Sequence, residues 1–255
     1  MIAKSSAYLI ALAIILIFVY RYIHKNNHAS FPVVNHDTII VGTNAEYPPF
    51  SFRENNTCMG LDIDIVHEIA RRLNKKVIVE DMPFEALIPR VQLGSIHLIA
   101  AGMTPTPERE KQVFFTPIYL ANDNLIIVSR NENPFNTVNQ LYNTQVIVNE
   151  GFTADSYASS INLPYIVRLA SVTEALLALQ TGRANAFITA QSAIQPFFAL
   201  HKKNILHTAV IPDTKENYAL IVSKKYPDLY AQITQIMDNM EKDGTIAHIK
   251  KRWFL

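Results

Sequence analysis

Short apolar runs recur along this chain of 255 residues, each followed by a turn and then by apolar residues at helical spacing. The runs Thr38–Thr43, Val77–Glu80, Leu98–Ala101, Leu125–Val128, Gln145–Val148, Ala186–Ile188 and Tyr218–Val222 read as strands. Between them, Ile65, Val66, Ile69, Ala70 and Leu73 line one helical face. Phe84 to Leu93 is a short helix stopped by Gly94. Ser171 and Glu174 form a capping box ahead of Ala175 to Gln180. Gln191 to Leu200 continues the pattern. An amphipathic helix then carries Leu229, Ile233, Ile236, Met237 and Met240, Gly244 breaks it, and a last helix ends at Trp253. Tyr47-Pro48-Pro49-Phe50 is a loop, because two prolines cannot continue a helix.

Strands alternating with helices predict an α/β fold with largely parallel sheets. A polar break at Ser129 to Asn133 separates two such sets, which predicts two lobes rather than one sheet. The N-terminus is different. Lys4 precedes an apolar run from Ala7 to Tyr20, followed by Arg21, His24 and Lys25. That run is shorter than the roughly 20 residues of a bilayer span and fits an export leader better. Residues 1–30 are therefore expected to be a signal peptide or an uncleaved membrane anchor, and either one exports the body. Asn26 to Asp37 is a polar linker.

Composition narrows the function classes. Apolar residues make up 49% and charged residues 18%, as in a globular body. The net charge of +1, from 23 basic and 22 acidic side chains, gives no footprint for nucleic acid. Cys58 is the only cysteine, so an internal disulfide and a CxxC site are both excluded. The eight histidines lack metal-ligand spacing, so neither a metal nor a cofactor is expected. No Ser/His/Asp or Cys/His nucleophile set is visible.

Candidate chemistry concentrates in Gly102-Met103-Thr104-Pro105-Thr106-Pro107-Glu108-Arg109. Thr106 reads as an N-cap and Pro107 as the first helical residue. Arg109 then sits in a first turn, where the helix dipole disfavours a cation and free N–H groups favour an anion. A carboxylate pocket needs that arrangement; the alternative is a solvated arginine. Asp62 and Asp64 are expected to cap and charge the helix that follows them. Trp253 is expected to anchor the C-terminal helix, and Lys250, Lys251 and Arg252 to form a solvated face.

Four segments stand in a telling order: Gly42 to Phe50, Gly60 to Asp64, Phe84 to Pro89 with Gly102 to Arg109, and Gly151-Phe152-Thr153 with a closing Ile249 to Phe254. In this order they resemble the polar amino-acid group of bacterial extracytoplasmic solute-binding proteins, family 3, which feed ABC importers. The resemblance implies two α/β lobes, 37–128 plus 223–255 and 129–222. Two hinge strands would join them, crossing near Val128-Ser129 and Val222-Ser223, with ligand in the interlobe cleft. It implies that Arg109 holds a ligand α-carboxylate and that Thr153, opening a helix as its N-cap, adds a donor. Gly102 and Thr104 would line the ammonium side through a carbonyl and a hydroxyl, Met103 between them would also contact the ligand, and Tyr47 and Phe84 would sandwich the ligand side chain. The implied partners are a small amino acid and an ABC permease in the inner membrane, with the protein a periplasmic monomer.

The chain departs from that pattern at Ala190, where the family usually places an aspartate for the ligand ammonium. Thr104, the Gly102 carbonyl, Gln191 and Glu46 remain as candidates. His97 replaces a common acidic residue and is expected on the surface. Asn44, Glu46 and Glu150 could receive a cationic side chain, and carboxylates with an aromatic sandwich suit a guanidinium. Arginine is thus expected ahead of lysine. The alternatives are a cyclohexadienyl or arogenate dehydratase on the same fold, with Glu46 or Glu150 as its acid, and a membrane-anchored amino-acid sensor.

Overall fold

A computed structural model describes residues 37–200 and 206–253. The apolar run 7–20 and the leader or anchor expected there lie outside the described residues. No helix among the described residues is long and apolar enough to cross a membrane.

The first α/β set begins with β1 (Thr38–Thr43) and a small antiparallel sheet of β2 (Glu46–Tyr47), β3 (Ser51–Glu54) and β4 (Thr57–Met59). Helix α1 (Leu61–Arg72), β5 (Lys76–Asp81), α2 (Phe84–Leu93) and β6 (Leu98–Met103) follow. A short helix α3 (Pro107–Glu110) and β7 (Phe114–Phe115) lead to the long strand β8 (Leu120–Arg130). The second set comprises β9 (Val146–Asn149), α4 (Thr153–Ser160), β10 (Ile166–Leu169), α5 (Val172–Gln180), β11 (Ala186–Ala190) and α6 (Gln191–Leu200). The long β12 (Leu206–Val222), α7 (Pro227–Lys242) and α8 (Thr245–Arg252) complete the chain.

The main strands run in the order β10-β9-β11-β8-β12-β6-β1-β5. At one end β1 is parallel to β5 and β6; at the other β9 is parallel to β10 and β11. Between these two parallel sets, β8 and β12 are antiparallel partners. Leu125–Ser129 pair with β11, whereas Ala219–Val222 pair with β6. The two connecting strands therefore pass from set to set around Leu120–Asn124 and Lys215–Tyr218, where Asp123 lies opposite Glu216. That is earlier than the Val128-Ser129 and Val222-Ser223 positions suggested by the sequence, because the apolar parts of both strands are already built into a core.

Helix formation follows the apolar pattern. In α1, Leu61, Ile65, Val66, Ile69 and Ala70 are buried, each large side chain contributing about 1.5–3 kcal/mol. Asp62 and Asp64 lie in its first turn and Arg71 and Arg72 in its last, as the dipole favours. Neither aspartate caps, however. Gly60 is the N-cap, and Asp62 turns inward to accept the Gly102 N–H at 2.8 Å and the Tyr119 hydroxyl at 2.5 Å. Asp64 accepts from Trp253 Nε1 at 2.8 Å, and Trp253 also packs edge-on against Phe52. Arg252 lies 3.4 Å from Asp64, and Lys250 donates to the Tyr119 carbonyl, so the expected solvated face is partly tied down.

His97 corrects another expectation. It is buried, not on the surface: Nδ1 accepts the Ile40 N–H at 2.9 Å and the ring meets Tyr226 edge-on. Its backbone carbonyl accepts from Ser223, so the segment after β12 seals it from water. Burial pushes its pKa down.

Candidate functional site

The turn from β6 into α3 builds one side of the site. Thr106 caps α3 by accepting the Arg109 N–H at 3.3 Å, and Pro107 opens the helix. Arg109 is half-buried and its fork is held by neutral groups. Nη1 donates to the Thr104 carbonyl at 2.9 Å and Nη2 to the Gly151 carbonyl at 3.0 Å. The guanidinium also lies 5.5 Å from the centre of the Phe84 ring. No carboxylate is within ion-pair distance of it among the described residues. Burial lowers its pKa, while the Glu216 and Glu108 charges act the other way.

Facing this turn is the start of α4. Its N-cap is Phe152, so Thr153 is the first helical residue and not the cap expected from the sequence. The Thr153 side chain instead donates to Glu216 Oε2 at 2.7 Å, and Thr104 Oγ1 donates to the same oxygen at 2.5 Å. Glu216 is buried, and burial raises its pKa against the pull of both hydroxyls and of Arg109. Beside it on β8, Asp123 accepts from Tyr218 Oη at 2.9 Å and from Ser192 Oγ at 2.5 Å. Burial raises the Asp123 pKa as well.

An aromatic cluster joins the two sides. Tyr47 precedes the Pro48-Pro49 turn and stacks on Phe50 with centroids 5.3 Å apart. Phe152 packs on Tyr47 at 4.6 Å and on Phe84 at 3.9 Å. Tyr47 and Phe84 thus flank Phe152 rather than an open slot. Gly102, with φ of 57°, lets the Tyr47 and Phe50 rings lie against its backbone; a Cβ there would come within 2.9 Å of both. Desolvation raises the Tyr47 pKa, chiefly through burial.

Outside the Phe84–Phe152 pair opens a cavity of about 410 Å³. Asn44, Glu46, Asp81, Glu85 and Glu150 line it with Phe84 and Phe152. Asp81 is engaged by Arg53 and by the Ala45 N–H. Asn44 donates to the Met82 carbonyl at 3.4 Å, but its buried Oδ1 has no donor among the described residues. A buried carbonyl without a donor, three further carboxylates and an aromatic wall suit a cation.

The candidate residues therefore fall in two adjoining groups. Tyr47, Gly102, Met103, Thr104, Arg109 and Thr153 surround the buried polar centre, Met103 as a core side chain. Asn44, Glu46, Phe84 and Glu150 line the acidic cavity. Gln191 joins neither group: it is exposed and lines a separate depression with Asp123 and Ser192. Glu216, Asp123 and Phe152 are additions that the sequence reading did not assign. Glu216 follows Pro212-Asp213-Thr214-Lys215, a polar stretch without a strand-like apolar pattern that lies within β12.

Two parallel α/β sets joined by a pair of long strands, with a charged centre between them, define a two-lobed α/β binding protein. The chain belongs to the bacterial extracellular solute-binding proteins, family 3, whose family model matches residues 39–255. It is similar to the arginine-binding extracellular protein ArtP of Bacillus subtilis, with 27% identity over 221 residues, 85% of this chain and 86% of that protein. Its structure is similar to that of a mutant ArgBP from T. maritima, at 33% identity and a TM-score of 0.78, covering 86% of this chain and 95% of the other. An ancestral arginine-binding protein bound to arginine matches at 30% identity and the same TM-score of 0.78, over 86% and 98%.

Proposed function

We propose that this protein captures an amino acid outside the cytoplasm, arginine before other basic amino acids, and delivers it to an ABC importer. One observation carries the reading: a half-buried guanidinium, Arg109, hydrogen-bonds only to carbonyls among the described residues and stands beside an acidic, aromatic-walled cavity. A ligand carboxylate would complete Arg109 with charge-assisted bonds of about 1.5–3 kcal/mol. The N-terminus of α4 at Thr153 adds dipole and N–H groups to the same anion. The far end of an arginine would reach Phe84, Asn44, Glu46 and Glu150, where stacking and carboxylates complement a guanidinium. The arginine-binding relatives support the same reading.

The mechanism is binding without bond-making. Ligand docks on the β6–α3 side, and the α4 side closes over it. Contacts to both sides favour the closed state, which shifts the open–closed population. A membrane permease then reads the closed form. Isothermal titration against the common amino acids tests this. Arginine should bind tightest; tight glutamine or glutamate binding with arginine silent would refute it.

A further inference from the structure

The chain carries alanine at position 190, at the end of β11, so that strand end offers a ligand ammonium no carboxylate. Four acidic or amide groups could accept a ligand ammonium, and their geometry separates them. Asp123 has its oxygens engaged: Ser192 N–H and Oγ and the Tyr218 hydroxyl all donate to it. Glu46 and Gln191 are exposed and lie outside the buried centre. Glu216 is different. It is a buried carboxylate with no cation within ion-pair distance among the described residues. Both its donors, Thr104 and Thr153, are neutral hydroxyls, and both point at Oε2. No donor among the described residues reaches Oε1.

Thr104 also fixes the spacing. Its carbonyl accepts from Arg109 while its hydroxyl donates to Glu216, so one residue holds a guanidinium and a carboxylate side by side without pairing them. A half-buried guanidinium and a buried carboxyl group, each hydrogen-bonded only by neutral groups among the described residues, are complementary to a zwitterion. The α-carboxylate and α-ammonium of an amino acid are separated by a single carbon, which suits two groups bracketing one residue.

We propose that Glu216 is the ammonium acceptor of this site, recognising the α-amino group of the ligand whose carboxylate Arg109 takes. The inference rests on the amino-acid reading above. Glu216 lies on β12 where that strand passes between the two α/β sets, so the acceptor sits on the connection rather than on either set. Ammonium recognition is thereby linked to the conformation of the connecting strands.

The test compares L-arginine with 5-guanidinopentanoate, which is arginine without its α-amino group, by calorimetry on the full chain. Wild type, Glu216→Gln and the double variant Glu216→Gln/Ala190→Asp are used, with thermal melts to establish folding. Wild type should prefer L-arginine. Glu216→Gln should weaken L-arginine about 30- to 100-fold yet move 5-guanidinopentanoate less than about 3-fold, as expected for loss of a buried charge pair. Ala190→Asp should restore at least about tenfold of that loss. An equal loss for both ligands would put Glu216 at the side-chain end and overturn the proposal, as would no loss for either. If wild type binds no amino acid at all, the amino-acid reading falls. If wild type binds arginine and Glu216→Gln binds it equally well, only the Glu216 assignment falls.

Discussion

Phe84 and Phe152, from α2 and from the cap of α4, stack with centroids 3.9 Å apart and planes 22° apart. This pair is the wall between the buried centre around Arg109 and the acidic cavity. It also brings the two sides of the cleft into contact, because Arg109 lies over the Phe84 ring and donates to the carbonyl of Gly151, next to Phe152.

Phe84 should therefore matter more for a guanidinium than for a small ligand. Phe84→Leu keeps apolar bulk and removes the π face. Arginine binding should weaken about tenfold, with alanine or glycine binding changed little. Calorimetric titration of both ligand types checks it, and an unchanged arginine affinity would exclude ring stacking.

Arg109 serves two carbonyls through a planar fork, which a lysine cannot reproduce. Arg109→Ala should abolish measurable binding, a loss of at least about 100-fold. Arg109→Lys should recover only part of it, since one ammonium cannot hold Thr104 and Gly151 and a carboxylate together. Near-normal binding by the alanine variant would refute the carboxylate assignment.

Asp62 supplies a pH signature of stability. Burial pushes its pKa up to about 7 from the usual 3.8, against hydrogen bonds from Gly102, Tyr119 and Ala101. The folded state then binds the extra proton between those values, so this group's stabilising contribution is complete below pH 3.8 and is lost as pH rises through 7. Asp62→Asn keeps an acceptor for the Gly102 N–H and cannot ionise. Its stability should fall less steeply than wild type between about pH 4 and 7 in thermal melts. Glu216 and Asp123 are raised in the same sense and His97 is lowered, but all three are common to both proteins, so the difference isolates Asp62. Parallel stability curves would contradict the buried-acid description.

Gly102→Ala should cost about 1–3 kcal/mol, because a Cβ would press on Phe50 and Tyr47 at a backbone angle that alanine resists. Urea unfolding measures it. The displaced Tyr47 should also weaken ligand binding, so a fully stable variant with intact affinity would mean the aromatic cluster is slack.

Local signals made much of this fold legible. Helices α2 and α6 run from Phe84 to Leu93 and from Gln191 to Leu200, bounds readable from apolar spacing and, for α2, from Gly94. The turn at Thr106-Pro107 was equally plain, because capping depends on neighbours in sequence. The misreadings share a different cause. His97 looks like a surface residue until Ser223 and Tyr226 close over it from far along the chain. Thr153 looks like a cap until its hydroxyl finds Glu216. The first half of β12 carries no assignment from the apolar pattern, and pairing with β8 makes it strand.

The sequence by itself determined the alternation of strands and helices and the guanidinium at the start of α3, since periodicity, capping and dipole act over a few residues. Tertiary structure alone decided which groups surround that guanidinium. Thr104, Thr153 and Glu216 are distant in the chain and meet only through the register of β8 with β12 and the packing of Phe152 between Tyr47 and Phe84. Burial then raised the pKa of an ordinary glutamate and left it hydrogen-bonded to two hydroxyls and without an ion pair among the described residues, a property that depends on what excludes water from it and not on its neighbours in sequence.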